Sequence, residues 1–386
     1  MPVPGFSWCG INAGIKDDTL DFGVIRADRP CAAAAVFTRN NFPAAPVILG
    51  RERVRGGRLQ AVVVNSKNAN AATGEGGLRD AQRMTETLGA ALGIDPVLIL
   101  PSSTGVIGVA LPMERIEAAC RRAGDELECG AEAIEQFARA IMTTDTRPKT
   151  VSVRCGEATL TGVAKGAGMI EPNMATLLAY IATDAACEAP ALQAMLRRAV
   201  DGSFNRITID SDTSTNDTVL VLANGLVGAV EPAEFETALA GVCLHLAKEI
   251  VRDGEGATKL IELTVSEAPS PEAALAIARS VINSPLVKTA IYGADPNWGR
   301  FVMAIGKVFD HPVPLEGLGI RFGDDAAGLA ITAEAQPPDV LERIREYLRG
   351  DELRIELRLG RGNARETVWG CDLTEGYIRE NAYYTT

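Results

Sequence analysis

The chain has 386 residues, of which 47% are apolar and 23% charged, and its formal net charge is −12. This is globular composition, which excludes disordered, collagenous and coiled-coil classes. An acidic chain repels nucleic-acid phosphates and anionic lipids, so neither is an expected partner. The length predicts two or three structural units, with a core large enough to fold without disulfides.

The N-terminal segment and the cysteines suggest a cellular compartment. Residues 1–16 lack a basic stretch followed by an apolar one, so no signal peptide is expected. No apolar run approaches the length of a membrane helix. The eight cysteines are scattered without a Cys-x-x-Cys pair, which favours free thiols in a reducing cytoplasm over a disulfide framework.

The first part of the chain alternates short apolar runs with amphipathic segments. A continuous apolar run predicts a buried strand at 59–65, and an Asn- and Gly-rich loop follows it to residue 77. The other elements predicted here are helices at 78–92, 112–122 and 131–142, a strand at 97–100, and two strands within 150–163 joined at Gly156.

The later part of the chain also mixes helix and strand signals. Apolar residues at helical spacing from Phe235 to Ile250 predict a long amphipathic helix. A strand is expected at 259–265, and the Pro/Ser-rich segment 268–271 is interpreted as a linker at a domain boundary near 268–275. The remaining predictions are helices at 272–281, 286–291 and 340–348, and strands at 353–359 and 367–371, giving α/β character overall.

Histidine is too scarce for much of the usual catalytic chemistry. The two histidines, His245 and His311, have no neighbouring Ser, Cys or Asp arrangement typical of a triad, so structural roles are favoured. Clustered Cys/His zinc ligands are absent from the sequence. The segment 254–259 lacks the Gly-Lys-[Ser/Thr] ending of a phosphate loop, and Gly166-Ala-Gly168 lacks the third glycine of a dinucleotide fingerprint. An enzyme with this sequence is therefore expected to work without a histidine base.

The most unusual segment runs from Ala164 to Tyr180. Gly166, Gly168 and Pro172 interrupt regular structure, and an apolar run then begins at Leu177. Thr176 therefore lies where an irregular loop becomes a buried strand. Taken alone, this residue is interpreted as a β-branched strand residue.

Nearly the whole chain resembles the ornithine acetyltransferase family, also called glutamate N-acetyltransferase. The resemblance rests on ordered blocks spread from residue 36 to the C-terminus. These blocks are Val36-Phe-Thr38, Asn65-Ser-Lys-Asn-Ala-Asn-Ala71, Ser103-Thr-Gly-Val-Ile-Gly108, Ile141-Met-Thr-Thr-Asp145, Lys165-Gly-Ala-Gly-Met169, Pro172-Asn-Met-Ala-Thr176, Asp253-Gly-Glu-Gly-Ala-Thr-Lys259, Asp295-Pro-Asn-Trp-Gly-Arg300 and Glu380-Asn-Ala-Tyr-Tyr-Thr-Thr386.

The resemblance implies that the chain cuts itself between Ala175 and Thr176. Residues 1–175 would form an alpha chain, and residues 176–386 a beta chain that begins with the nucleophile Thr176. A threonine hydroxyl needs a base, and a free terminal amine on the same residue can supply one. An α-amino group titrates at about 7.7–8.0, near working pH. Self-cleavage would thus create the base and expose the nucleophile together.

The resemblance also implies the remaining site residues. Thr104 and Gly105 would form the oxyanion hole through a hydroxyl and a backbone N–H. We expect Lys165 to bind a substrate carboxylate and Glu255 the ammonium of ornithine. The implied substrate-binding positions are Thr143 (with Thr144 as the alternative), Lys165, Thr176, Glu255, Asn381 and Thr386.

The implied fold is a layered α-β-β-α core of N-terminal-nucleophile type, at about 1–270, with a smaller C-terminal α+β domain at about 271–386. The two fragments would stay associated as α₂β₂ or a larger assembly. The implied activity is ping-pong transfer of acetyl from N²-acetylornithine to glutamate, in arginine biosynthesis. No metal or bound cofactor is implied, and acetyl-CoA is left open as a second donor.

Two residues depart from the family pattern, and two other functions stay open. Lys67 stands where members commonly have Gly, and Glu171 where many have a small or neutral residue. These charges leave open a paralogous acetyltransferase or amidohydrolase of specialised metabolism with the same Thr176. A non-catalytic amino-acid-binding protein, which would stay uncut, is the alternative from another class.

Overall fold

The computed structural model describes residues 1–171, 177–323, 329–333 and 335–383. The chain divides into two compact units. Of the described residues, the first contains those within 1–205 and 212–250, and the second contains those within 206–211 and 251–383.

The described residues of the first unit form a mixed sheet and six α-helices. Its strands are Phe6–Ile11 (β1), Phe22–Phe37 (β2), Arg58–Asn65 (β3), Ile99–Ser103 (β4), Lys149–Cys155 (β5), Ala158–Lys165 (β6), Leu178–Ala186 (β7) and Thr218–Ala229 (β9). Its helices are Ala45–Arg53 (α1), Gly74–Leu92 (α2), Met113–Glu126 (α3), Ala131–Ala140 (α4), Ala189–Asp201 (α5) and Pro232–Arg252 (α6), the last of which ends at the division between the units.

The first sheet has the strand order β4-β3-β2-β9-β7-β6-β5, and β1 also pairs with β2. The long strand β2 pairs with β1 and β3 along its first half and with β9 along its second half, with an irregularity between Arg26 and Cys31. Side chains from the two halves of the sheet, including Val62 of β3 and Tyr180 of β7, share one buried core. Two β-layers therefore face each other across this core.

Helices cover the outer faces of both layers. Met84 of α2 and Ile116 of α3 pack with Val63 of β3 in a separate buried cluster. On β6, a Cβ at Gly162 would meet Val242 and Leu246 of α6 at 2.8 and 2.9 Å, so glycine allows this helix to lie close to its strand. The expected layered α-β-β-α architecture is confirmed.

The second unit holds a six-stranded sheet with the order β12-β11-β13-β10-β14-β8. Its strands are Ile207–Thr208 (β8), Leu260–Ala268 (β10), Gly319–Phe322 (β11), Leu329–Thr332 (β12), Glu352–Arg358 (β13) and Ala364–Cys371 (β14). Its helices are Pro271–Ile282 (α7), Pro285–Tyr292 (α8), Trp298–Gly306 (α9), Pro338–Tyr347 (α10) and Glu375–Ala382 (α11).

The division between the units lies before the boundary expected near 268–275. Strand β10 pairs with β13 and β14, so residues 260–268 belong to the second sheet. The segment 268–271 is no linker: the Ser270 hydroxyl accepts from the Ala273 N–H at 3.2 Å and caps α7. The Pro and Ser residues there begin a helix.

The eight cysteines are all free, as their spacing predicted. Among the described residues, no helix combines the length and apolar character needed to cross a membrane.

Candidate active site

The site begins at one edge of the first sheet, where β3 and β4 run parallel and end side by side. Asn65 ends β3, and Ser103 ends β4. The Ser103 hydroxyl donates to Asn65 Oδ1 at 2.6 Å, and Asn65 Nδ2 donates to the carbonyl of Asn68 at 2.9 Å. Both side chains are buried, so these bonds satisfy groups that water cannot reach. They fix the loops that follow the two strands.

The loop after β4 carries Thr104 and Gly105. The Thr104 N–H donates to the Asn65 carbonyl at 3.0 Å, and the Val106 N–H donates to the Lys67 carbonyl at 2.8 Å. Gly105 has φ +125°, and a Cβ there would lie 2.1 Å from the Lys67 carbonyl oxygen. Glycine is therefore required where the two loops touch.

Lys165, the last residue of β6, points its amine at two hydroxyls. The Nζ atom lies 2.8 Å from Thr143 Oγ1 and 3.3 Å from Thr104 Oγ1, and the residue is 7% exposed. An ammonium only donates, so each hydroxyl oxygen accepts here and keeps its own proton for another acceptor. The hydroxyl that meets Lys165 belongs to Thr143, the first of the two alternatives at 143 and 144.

Asp145 organises these groups from within the protein. Oδ1 accepts from Lys149 Nζ at 2.6 Å and from the Gly166 N–H at 2.7 Å. Oδ2 accepts from the Thr143 N–H at 3.0 Å and lies 4.0 Å from Lys165 Nζ. Burial alone would raise the pKa of this carboxyl, but the charges of Lys165 and Lys149 outweigh burial and lower the pKa to about 2. Asp145 is therefore ionised at neutral pH.

Lys16 approaches the same group from the N-terminal region. Its Nζ donates to the carbonyl of Met142 at 2.7 Å and to that of Leu20 at 3.3 Å. Burial lowers the pKa of this amine to about 8, and the positive charges of Lys165 and Lys67 act in the same direction. The carboxylates of Asp21 and Asp145 act in the opposite direction.

The predicted cleavage point, Ala175–Thr176, lies outside the described residues, and hydrogen bonds hold the chain on both sides of it. On one side, the Glu171 N–H donates to the Asp212 carbonyl at 2.8 Å, and the Thr213 hydroxyl donates to the Glu171 carbonyl at 2.9 Å. On the other side, the Thr218 N–H donates to the Leu177 carbonyl at 3.0 Å. One segment, residues 212–218, therefore holds both flanks.

Asp217, in this segment, is a buried carboxyl beside the second flank. Burial raises its pKa well above the usual range, against the opposing effects of Thr38, the Leu177 N–H, Lys165 and Ser214. Within the described part of the chain, its Oδ2 atom has no hydrogen-bond partner. A buried carboxyl whose pKa is raised by its surroundings is one of the signatures of a functional site.

Two further predicted site residues, Glu255 and Asn381, meet in the second unit. Asn381 Nδ2 donates to Glu255 Oε2 at 2.8 Å and to the Tyr377 carbonyl at 3.0 Å. Helix α11, which carries Asn381, docks against Gly256, where a Cβ would lie 2.3 Å from the Tyr377 nitrogen. Thr386, the last predicted residue, lies outside the described residues.

The structure therefore brings Thr104, Gly105, Thr143 and Lys165 together, and it pairs Glu255 with Asn381. Sequence reasoning missed Lys16, Asp145 and Asp217 as members of the site. Asp145 lies in a sequence block that carried the resemblance, which was a usable signal, whereas nothing near Lys16 in the sequence points to Met142. No group of three or more His, Cys, Asp or Glu side chains among the described residues is placed to hold a metal ion.

A mixed α/β fold with buried lysines, hydroxyls and perturbed carboxyls at a sheet edge is typical of one class of protein, an enzyme. The model of the ArgJ family matches residues 7–386. The Arginine biosynthesis bifunctional protein ArgJ 2 of Clostridium acetobutylicum is 49% identical over 386 residues, which covers 100% of this chain and 98% of that protein. The chain belongs to the ArgJ family.

Two further relatives are similar. The Glutamate N-acetyltransferase Oat2 of Streptomyces clavuligerus is 46% identical over 97% of this chain and 95% of its own length. The crystal structure of the Arginine biosynthesis bifunctional protein ArgJ of Bacillus halodurans is 41% identical, with a TM-score of 0.49. That match covers 53% of this chain and 98% of the solved chain.

Proposed function

We propose that this chain moves an acetyl group from N²-acetylornithine to glutamate through an ester on Thr176, after self-cleavage between Ala175 and Thr176. Acyl transfer is the activity of the family, and curated relatives are named for glutamate N-acetylation and arginine biosynthesis. The observation that carries the proposal is the contact of Lys165 with Thr143 and Thr104, beside a strand that begins two residues after Thr176.

The first step of the proposed mechanism is the cut. The Thr176 hydroxyl oxygen attacks the Ala175 carbonyl carbon, the C–N bond breaks, and the nitrogen takes up a proton to become a free amine. Water then hydrolyses the resulting ester, giving a carboxylate on Ala175 and restoring the hydroxyl. The contacts of residues 212–218 with Glu171 and Leu177 support this step, because they hold the chain on both sides of the cut.

The second step acylates the enzyme. The free amine of Thr176 takes the hydroxyl proton while the oxygen attacks the acetyl carbonyl of N²-acetylornithine. The Thr104 hydroxyl and the Gly105 N–H stabilise the tetrahedral oxyanion, and the amine returns its proton to the leaving nitrogen of ornithine. The Lys165 ammonium can only donate a hydrogen bond to the Thr104 oxygen, so the hydroxyl proton of Thr104 stays available for this role.

The third step restores the enzyme. The α-amine of glutamate attacks the acetyl ester, N-acetylglutamate forms, and the oxygen of Thr176 regains its proton. In this proposal Lys165 and Thr143 bind the carboxylate that both amino acids share, and Glu255 binds the side-chain ammonium of ornithine. Asn381 and Thr386 complete the set of substrate-binding residues. The proposal includes a cytoplasmic enzyme whose fragments assemble as α₂β₂ or larger.

Denaturing mass analysis tests the maturation step. The purified protein should give two fragments, the second beginning at Thr176, and Thr176→Ala should remain a single chain without transferase activity. Thr176→Ser, which keeps a hydroxyl, serves as the matched control and should still be cut. If an uncut chain transfers acetyl groups, the proposed role of Thr176 as the nucleophile is wrong.

Product analysis tests the reaction. N²-acetylornithine with glutamate should give ornithine and N-acetylglutamate, whereas free acetate formed at the same rate without glutamate would make the enzyme an amidohydrolase. A parallel assay with acetyl-CoA and glutamate decides whether acetyl-CoA is a second donor.

A further inference from the structure

The charged groups around the site do not balance. Four lysines face two aspartates here: Lys16, Lys67, Lys149 and Lys165 against Asp21 and Asp145. Asp217 also lies within reach of the Lys165 charge, and burial raises the pKa of its carboxyl well above the usual range. Lysines thus outnumber aspartates in this cluster, in a chain whose net charge is −12. Such an excess favours a ligand with more than one negative charge.

Two of these lysines already have a carboxylate close to their amines. Asp145 contacts both Lys149 and Lys165, while Asp21 accepts from the backbone N–H groups of Ala13 and Lys16 at 2.7 Å each. The Lys16 amine donates to two backbone carbonyls instead of a carboxylate. The Lys67 amine has neither a hydrogen bond nor an ion pair within the described ranges. Lys67 is therefore a second cation, besides Lys165, that is available to a ligand.

The backbone of Lys67 adopts an unfavourable conformation that neighbouring residues hold in place. Its φ is +85°, a left-handed conformation that is unfavourable for a residue with a side chain. Its carbonyl accepts from the Val106 N–H, and its backbone lies against Gly105. A strained lysine thus stands next to the proposed oxyanion hole, where strain commonly accompanies function.

The two amino acids of the proposed reaction differ at their side chains. Both carry an α-carboxylate, which Lys165 can bind in either half of the reaction. Ornithine adds an ammonium, whereas glutamate adds a second carboxylate. A site that accepts both must offer glutamate a cation that it does not need for ornithine.

We propose that Lys67 binds the side-chain carboxylate of the dicarboxylate acceptor, with Lys16 adding a second positive charge behind it. Lys67 is then a specificity-determining residue for the acceptor half of the reaction, with little effect on the donor half. This inference rests on the proposed acetyl transfer and names the group that selects its acceptor.

Lys67→Gly provides the kinetic test, because glycine adopts the same φ without strain and removes only the side chain. In ping-pong kinetics the kcat/KM values for the two substrates are measured separately. We expect the value for glutamate to fall roughly ten-fold, the loss typical of one charged hydrogen bond, and the value for N²-acetylornithine to change less than two-fold. The preference for glutamate over glutamine, which has an uncharged side chain, should fall by the same factor.

Two variants control this test. Lys67→Arg keeps the charge and should retain the preference for glutamate, and Lys307→Gly removes one exposed lysine of the second unit and should change nothing. An unchanged glutamate-to-glutamine ratio in Lys67→Gly, or equal losses for donor and acceptor, would overturn the proposal.

A binding measurement separates this inference from the proposed reaction. Glutarate has both carboxylates but no amine to acetylate, so its affinity can be measured by calorimetry on the mature protein without turnover. Lys67→Gly should lower the affinity for glutarate roughly ten-fold and leave the affinity for the half-amide of glutarate unchanged. Equal affinities of the wild type and Lys67→Gly for glutarate would rule out the role of Lys67 even if acetyl transfer is observed. Weaker glutarate binding without transfer would instead count against the proposed reaction alone.

Discussion

Asp145 shows how one buried carboxylate organises a site at the scale of a single residue. It accepts from Lys149, Thr143 and Gly166 and lies beside Lys165, so it helps to hold that amine in position. Removing one partner of a buried ion pair is strongly destabilising, because the other charge stays buried without compensation.

Asp145→Asn should therefore lower the free energy of unfolding at pH 7 by about 3 kcal/mol. The pKa of Asp145 is about 2 in the folded protein and 3.8 ordinarily, so its contribution is fully present above pH 4. It is lost as the pH falls from 3.8 to 2. The difference between wild type and variant should shrink by ~2 kcal/mol over that range, as measured by urea unfolding.

Glu135→Gln is the control for this measurement. Glu135 pairs with Arg139 at 2.7 Å, but both side chains are 54% exposed, so the pair should contribute less than ~1 kcal/mol. A constant difference between wild type and Asp145→Asn from pH 5 to pH 2 would contradict the assigned pKa.

Single residues of the site could be predicted only where a sequence block carried them. Thr104, Gly105, Thr143 and Lys165 came from the resemblance, and the structure places them together. The contribution of Lys16 depends on a contact with Met142, 126 residues away, which no local pattern encodes. The raised pKa of Asp217 likewise depends on burial, which arises only in the folded chain.

At the scale of elements, the loop after β4 depends on one glycine. A Cβ at Gly105 would overlap the Lys67 carbonyl, and φ +125° is unfavourable for any other residue. Gly108 in the same loop also has positive φ, +84°, but nothing lies within 4 Å of its missing Cβ. The two positions share the conformational requirement and differ in the space available.

Gly105→Ala should therefore lower kcat by at least about 10², the usual loss for one oxyanion donor, because the loop must shift. Gly108→Ala should lower kcat less than ten-fold while costing similar backbone strain. Steady-state kinetics on folded, cleaved protein makes the comparison. Equal activities of the two variants would show that the contact with Lys67 does not position the loop.

A second element-scale prediction concerns the start of α7. The Ser270 hydroxyl accepts from the Ala273 N–H, whereas Ser284, at the matching position of α8, makes no such bond. Ser270→Ala should lower the free energy of unfolding by about 1 kcal/mol. Ser284→Ala should have a smaller effect, and thermal unfolding of the two variants gives the comparison. Equal losses would show that the cap contributes nothing.

The elements that sequence predicted best are the periodic helices. The patterns at 78–92, 112–122 and 235–250 correspond to α2, α3 and α6, because burial of one helix face leaves a regular apolar spacing. Strand β2 was not predicted. It contains Pro30 and a run of alanines at 32–35, both atypical of strands, and it forms because neighbours pair with both of its halves.

At the scale of the whole molecule, the layered fold followed from the resemblance, whereas the strand order could not be read from local patterns. That order has a direct consequence for a cut before Thr176. Strands β7 and β9 would belong to the second fragment, yet they lie between β2 and β6, which belong to the first. Buried residues of β7 and β9, including Tyr180 and Leu220, share a core with Val62 of β3.

The two fragments should therefore remain one folded body after cleavage. Separating them requires breaking the pairings β2–β9 and β6–β7 and opening an apolar core, so high salt should not release either fragment. In size-exclusion chromatography both fragments should elute together with and without 1 M NaCl. They should separate only at urea concentrations that also abolish the β-sheet circular dichroism signal. Fragments that separate while this signal persists would contradict an interleaved sheet.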